Sequence, residues 1–261
     1  MMRTPPRAAP ATRPARPQSA MRRLTVTEGK LLLREPIALC WGLAFPMILM
    51  VIMGSLAPRP QRDLGGLRLV DVYEPIVIAF VIAVLALQGM PTVLVNYRER
   101  GILRRLATTP AGPTAVLGAQ VGVNLAVALT TTAGILATGR LVFDVALPRH
   151  LPGFLAALVL LTSAMLAIGL LVTALAPTGR SASAIGAILF FLMMFFAGLW
   201  IPRALMTHPL RQISDYTPLG AGVRAIQDSV FAGGPALSAL AVLAAYAVTC
   251  AVLAARFFRW Q

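Results

Sequence analysis

Charge is what this sequence has least of. Only 12% of its 261 residues are Asp, Glu, Lys or Arg, about half the share of an ordinary soluble domain. Hydrophobic residues make up 58%, and the mean hydropathy is +0.79. Lysine is nearly absent: Lys30 is the one lysine among 23 basic residues, and Leu31 follows it. The phosphate-binding loop GxxxxGK[ST] needs a lysine followed by a hydroxyl residue, so this chain carries no nucleotide site of that kind. Cys40 and Cys250 both lie in apolar stretches, which excludes a disulfide scaffold. His150 and His208 stand alone outside those stretches, and no metal-ligand spacing occurs. Ser163, Ser181 and Ser183 have no intramembrane His or Lys to activate them, so an intramembrane hydrolase has little support. No cofactor or metal is expected on this chain.

Long hydrophobic runs are what is present. Six uncharged apolar segments occupy approximately 36–56, 75–95, 114–139, 152–176, 182–201 and 235–255. Each is near or above the roughly 20 residues a helix needs to cross about 30 Å of hydrocarbon. Backbone in lipid must satisfy its own hydrogen bonds, so segments of this kind form helices. The expected fold is an all-α membrane protein with six transmembrane helices in one domain over 36–261. No Asp, Glu, Lys, Arg or His falls within these boundaries, which argues against a proton-coupled carrier. A sodium site built from carbonyls and hydroxyls stays open. Residues 1–20, rich in Pro, Arg and Ala, read as a disordered cytoplasmic tail. Residues 21–35 read as an interfacial connecting helix or a juxtamembrane linker.

The formal charge of +14 has two readings. The basic segments lack interleaved stacking aromatics and sit beside apolar runs, so they anchor the chain at an anionic leaflet rather than bind nucleic acid. With the N-terminus inside, 15 basic residues lie on the cytoplasmic side and 8 on the other. The positive-inside rule therefore favours both termini in the cytoplasm.

Three stretches carry candidate function. The first is the loop NYRERGILRRLATTPAGP, 96–113, with Arg98, Glu99, Arg100, Arg104 and Arg105. Read as a helix, it gathers Ile102, Leu103 and Leu106 on one side and turns Arg100 and Arg104 the other way. Four arginines suffice for a topological anchor. The apolar face and Glu99 are what a docking element for a cytoplasmic partner needs. The second stretch is 202–234, the longest connection. Thr217-Pro218 reads as an N-cap with proline at the first helical position, and Leu219, Val223, Ile226 and Val230 recur at helical spacing around Arg224, Gln227 and Asp228. This is an amphipathic helix on the outer side, either packed on the spans or re-entrant. The third is the polar and soft content of the spans. Gln88, Gln120, Asn124, Thr130, Thr131 and Thr132 suit interhelical hydrogen bonds, and Gly118 and Gly122 form a GxxxG pair. Phe190, Phe191, Met193, Met194, Phe195 and Phe196 offer a surface that accepts varied apolar ligands. Gln88, Asn124, Phe191 and Phe195 are the candidates for a translocation path.

Together these features resemble the permease subunits of ABC type 2 exporters, the family that includes the daunorubicin-resistance permeases. RERGILRRLATTPAGP is similar to the family's loop after the second span: an acid (Glu99), Gly101, a leucine-bearing basic helix and a proline. Gly198, Trp200, Ile201 and Pro202 close the fifth span as in the family. Pro209, Pro218 and Arg224 follow before the last span. The resemblance covers roughly residues 22–258. It implies a half-transporter in the plasma (inner) membrane, with two permease copies, alike or different, paired with two separate ATPase subunits that bind ATP and Mg. In that reading Glu99, Arg100, Gly101, Ile102, Leu103, Arg104 and Leu106 form the ATPase-coupling loop. Pro202, Pro218, Arg224 and Ile226 belong to the extracellular helix over the exit. Arg100 and Arg104, four apart, repel in an isolated helix, a departure that an acidic partner surface or lipid phosphates relieves. The implied activity is ATP-driven outward movement of a hydrophobic drug or lipid. An ion-coupled secondary carrier and a non-transport membrane scaffold are the rival readings.

Overall fold

The computed structural model describes residues 44–56, 58–102 and 112–257. The tail, the connecting segment 21–35, the start of the first apolar run and half of the 96–113 loop, residues 103–111, lie outside that range. Eight helices form among the described residues: α1 (Phe45–Leu56), α2 (Leu69–Glu99), α3 (Gly112–Phe143), α4 (Leu151–Leu175), α5 (Gly179–Ala197), α6 (His208–Tyr216), α7 (Pro218–Phe231) and α8 (Leu237–Phe257). Five of them, α2, α3, α4, α5 and α8, are long and apolar enough to cross a membrane, while α1 is a shorter apolar helix.

The second span starts earlier than its apolar run. The run begins after Glu74, but α2 begins at Leu69, because Arg68 and Asp71 build its first turn. The Arg68 backbone N–H donates to Asp71 Oδ2 at 3.0 Å, and Arg68 Nη2 pairs with Asp71 Oδ1 at 2.8 Å. Nη1 reaches the Phe143 carbonyl at 2.6 Å and ties this end to α3. The Asp71 hydrogen bond holds the Arg68 pKa above its ordinary value, against the opposing effect of burial. Pro75 therefore sits inside the helix rather than at its edge, and Asp71 and Glu74 fall within a candidate span. The expectation that the spans hold no Asp, Glu, Lys, Arg or His is corrected accordingly.

α2 is also the hub. Of its most apolar window 72% is buried, against 17% for α8. Midway it opens into a π-helical segment, Val84–Gly89, for which Pro91 supplies a cause. Proline has no N–H and its ring crowds the carbonyl four residues back. The Met90 N–H instead reaches five residues back, to Leu85. A Cβ on Gly169 of α4 would lie 2.1 Å from the Ala86 carbonyl oxygen, and one on Gly186 of α5 would lie 2.1 Å from that of Leu87. The π segment is thus where α4 and α5 press their bare backbones onto α2, as small residues allow in membrane bundles.

The other helices arrange around this hub. α1 and α3 pack on one side of it, with Met47 Cε against Gly134 and the Phe143 ring against Gly54. α4 and α8 run together along their lengths. α5 ends in a Schellman turn at Gly198 (φ +96), short of Trp200 and Ile201: Leu199 N–H bonds Met194 O and Gly198 N–H bonds Phe195 O. The outer faces of α5 and α8 are bare and apolar, with Ile188 68%, Phe191 59% and Val248 64% exposed, as lipid contact requires.

Between α5 and α8 the structure holds two helices where the sequence pattern shows one. α7 begins as expected, with Thr217 Oγ1 accepting from Gly220 N–H at 3.2 Å and Pro218 leading the first turn. α6 precedes it and carries a similar signal, Thr207 as N-cap followed by Pro209, which reading a helix only from Thr217 onward passes over. α7 does not lie on the surface. Leu219, Val223, Ile226 and Val230 are buried, and α7 packs against α2, α4, α5 and α8.

Candidate functional site

The loop 96–113 does not begin as a separate helix, because α2 runs through Asn96 to Glu99. The chain then turns at Gly101, whose φ of +66° favours glycine. Arg98 and Glu99 thus belong to the rigid end of the hub. Both face the tight turn that joins α4 to α5. Arg98 Nη1 donates to the Thr173 carbonyl at 3.3 Å, and Nη2 donates to those of Ala176 and, at 3.3 Å, Pro177. The Glu99 Oε1 accepts from the Gly179 N–H at 2.9 Å. The last carbonyls of α4 and the first N–H of α5 lack helical partners. A helix C-terminus attracts a cation and an N-terminus attracts an anion. Two neighbouring residues of opposite charge therefore grip two opposite helix ends. Asn96 closes the grip: a Cβ on Gly179 would lie 2.8 Å from its Oδ1.

Beyond this clasp, Arg100 is exposed, with its backbone N–H on the Asn96 carbonyl at 3.0 Å, and Ile102 is half-buried. Leu103, Arg104 and Leu106 lie outside the described residues. Arg98 was not singled out by spacing. The signal was available in the adjacent Arg98 and Glu99 at the end of a span, facing a Pro-Thr-Gly turn, but only the tertiary structure shows which helix ends they meet.

At the opposite end Arg203 Nη1 donates to Ser214 Oγ at 2.7 Å, and Arg203 pairs with Asp215 at 2.5 Å. Ser214 Oγ in turn donates to the Phe196 carbonyl at 2.6 Å. Arg224 lies 3.4 Å from Asp215 and 3.8 Å from Asp228. Ile226 is fully buried, and Pro202 and Pro218 are buried at the starts of their turns. This network fastens α6 and α7 to the end of α5. Tyr73 of α2 joins it through a hydrogen bond from its hydroxyl to the Leu199 carbonyl at 3.0 Å.

The four candidate path residues are not gathered into one cavity. Gln88 is half-buried in the π segment, where its carbonyl accepts from Thr92 Oγ1 at 2.9 Å. Asn124 is buried in α3, donating from Nδ2 to the Gln120 carbonyl at 2.8 Å. Phe191 faces out of the bundle beside Trp200, and Phe195 stacks edge-on against Phe196. A surface cavity of about 650 Å³ lies elsewhere, lined by His150, Pro152, Gly233, Pro235 and Leu240 among others.

Five membrane-length helices, the most buried of them α2, define a multi-pass α-helical membrane protein. Its family is settled by sequence comparison: residues 20–231 match the ABC-2 type transporter model, and the chain belongs to that family. It is the permease component of such a transporter, a component that generally lacks ATPase activity, and the family implies a partnering ATP-binding subunit. No curated protein matches the chain.

Proposed function

We propose that this permease exports a hydrophobic drug, lipid or similar amphiphile, as the resemblance to daunorubicin-resistance permeases implies. Two copies work with two ATP-binding subunits in the plasma membrane, with both termini in the cytoplasm. The observation that carries the reading is the Arg98–Glu99 clasp. A push on the 96–113 loop meets α2 directly, and α2 holds the α4–α5 turn through Arg98 and Glu99. Movement delivered at one loop thus reaches three spans. Ile102, Leu103 and Leu106 supply the apolar face toward the ATP-binding subunit, with Arg100, Gly101 and Arg104 around them. For ATP to drive the permease, the loop must bind that subunit differently in its two states.

The test is co-purification with an ATP-binding subunit, followed by ATPase and efflux assays. Leu103→Asp is expected to weaken association and to lower both activities by about tenfold or more, the loss of roughly 1.4 kcal/mol of docking energy. Arg98→Ala, with Glu99→Ala beside it, is expected to keep association and ATPase activity while losing efflux. If no ATP-binding subunit co-purifies and all three variants transport like the parent, the reading is wrong.

A further inference from the structure

Glu74 is only 2% exposed in α2, and among the described residues no hydrogen bond or ion pair reaches its carboxylate. It lies where α1, α2 and α3 meet. A Cβ on Gly139 of α3 would fall 2.5 Å from Glu74 Oε1 and 3.5 Å from Met50 Cε of α1. The charged groups around it are already committed. Asp71, one turn earlier, holds Arg68, and Arg140 of α3 pairs with Asp144 at 2.5 Å. α1 over Phe45–Leu56 has no charged side chain.

A second observation lies on the same neighbouring helix. Gln120 Oε1, Thr131 Oγ1 and Thr132 Oγ1 of α3 are buried oxygens without a hydrogen-bond partner. Thr131 and Thr132 stand eight and seven residues before Gly139, about 11 Å along a helix axis. Buried polar atoms are normally satisfied, and an unpaired carboxylate in a membrane bundle marks a functional site. Among the described residues near the junction the unpartnered atoms are the Thr131 and Thr132 hydroxyl oxygens, which can accept, and the unpaired ionisable group is an acid. Gln120, 19 residues before Gly139, is about 28 Å away along the helix and takes no part. What complements that set is a positive charge carrying N–H donors.

We propose that the α1–α2–α3 junction at Glu74 binds the protonated amine of an amphiphilic substrate, with the Thr131 and Thr132 hydroxyls of α3 supplying further acceptors as the two helices part. This rests on the exporter reading and narrows its substrate to lipophilic organic cations. Binding requires α3 to shift from α2, and because α3 barely touches α4 the shift disturbs only its packing on α1 and α2.

The test uses the full chain in nanodiscs without ATP or a partner. Decylammonium and decanoate share an apolar chain and carry heads of opposite charge, and only the first brings N–H donors. After subtraction of partition into empty discs, the parent is expected to favour the cation. Glu74→Gln is expected to lose about tenfold in affinity for it (~1.4 kcal/mol) with the anion unaffected. Glu74→Asp keeps the preference. Equal affinities for the two probes in the parent, or parent-like cation binding by a monodisperse Glu74→Gln variant, overturn the proposal. So does displacement of the probe by sodium but not by choline at equal ionic strength, which marks an inorganic-cation site. If Glu74→Gln fails to fold, Gly139→Ala, which drives a methyl into the carboxylate, carries the test, and parent-like binding there is fatal. Failure of this assay leaves the exporter reading intact. Loss of ATP-dependent efflux with cation binding preserved tells against the exporter reading alone.

Discussion

Among single residues, glycines show most clearly how contacts depend on the partner backbone. The GxxxG pair singles out Gly122, yet a Cβ there meets nothing within 4 Å in this chain. The tight positions are Gly169 and Gly186, against the carbonyls of Ala86 and Leu87. Those contacts involve backbone, which cannot swing aside as a side chain can. Gly169→Ala is therefore expected to cost about 1–3 kcal/mol, the usual range for overpacking. Gly122→Ala is expected to be neutral or slightly stabilising, since alanine favours helix. Thermal unfolding of the two variants in detergent checks the contrast, and equal melting temperatures refute it. The acids carry a similar lesson. Glu74 is next to Pro75, and charge followed by proline reads as the edge of a span. The Arg68–Asp71 pair starts the helix earlier and carries Glu74 inside.

Elements show where local signals suffice and where they do not. Thr217-Pro218 announces the start of α7, and the structure begins the helix there with the cap bond in place. Nothing in the periodicity says that α7 is buried among four helices, because an amphipathic stripe needs only some apolar surface to cover it. The module is held by the Arg203–Asp215–Arg224 network, whose members are unequal. The Arg203 side chain is 13% exposed and also bonds Ser214, whereas that of Arg224 is 36% exposed. Arg203→Ala is expected to cost roughly 1.5–3 kcal/mol, the range for hydrogen bonds to charged groups. Arg224→Ala is expected to cost at most about 1 kcal/mol, since solvent screens its pairs. Melting temperatures in detergent, ranked parent, Arg224→Ala, Arg203→Ala, test the assignment, and a reversed order sinks it.

For the whole molecule, the alternation of loops predicts which ends share a side of the membrane. Arg149 precedes α4 and Arg180 opens α5, so one span separates them. In a background with Cys40 and Cys250 replaced, a cysteine at 149 is expected to react with a membrane-impermeant maleimide in intact cells. A cysteine at 180 is expected to react only after permeabilisation, and the reverse pattern overturns the proposed orientation. Composition and run length by themselves determined that this is a helical, multi-pass membrane protein, and they located most of its spans. A bilayer leaves an apolar run of that length one way to satisfy its backbone. The 96–113 loop, the close of the fifth span and the prolines and Arg224 after it together carried the ABC type 2 family, which the comparison bears out. Only the tertiary structure decided that α2 is the hub, that Pro91 opens it where two glycines approach, and that Arg98 and Glu99 close on the ends of other helices. It also decided that Glu74 is buried, without a counter-ion among the described residues. Each of these depends on which surfaces face one another. Lipid and protein interiors are equally apolar, so hydrophobicity along the chain carries no record of that choice.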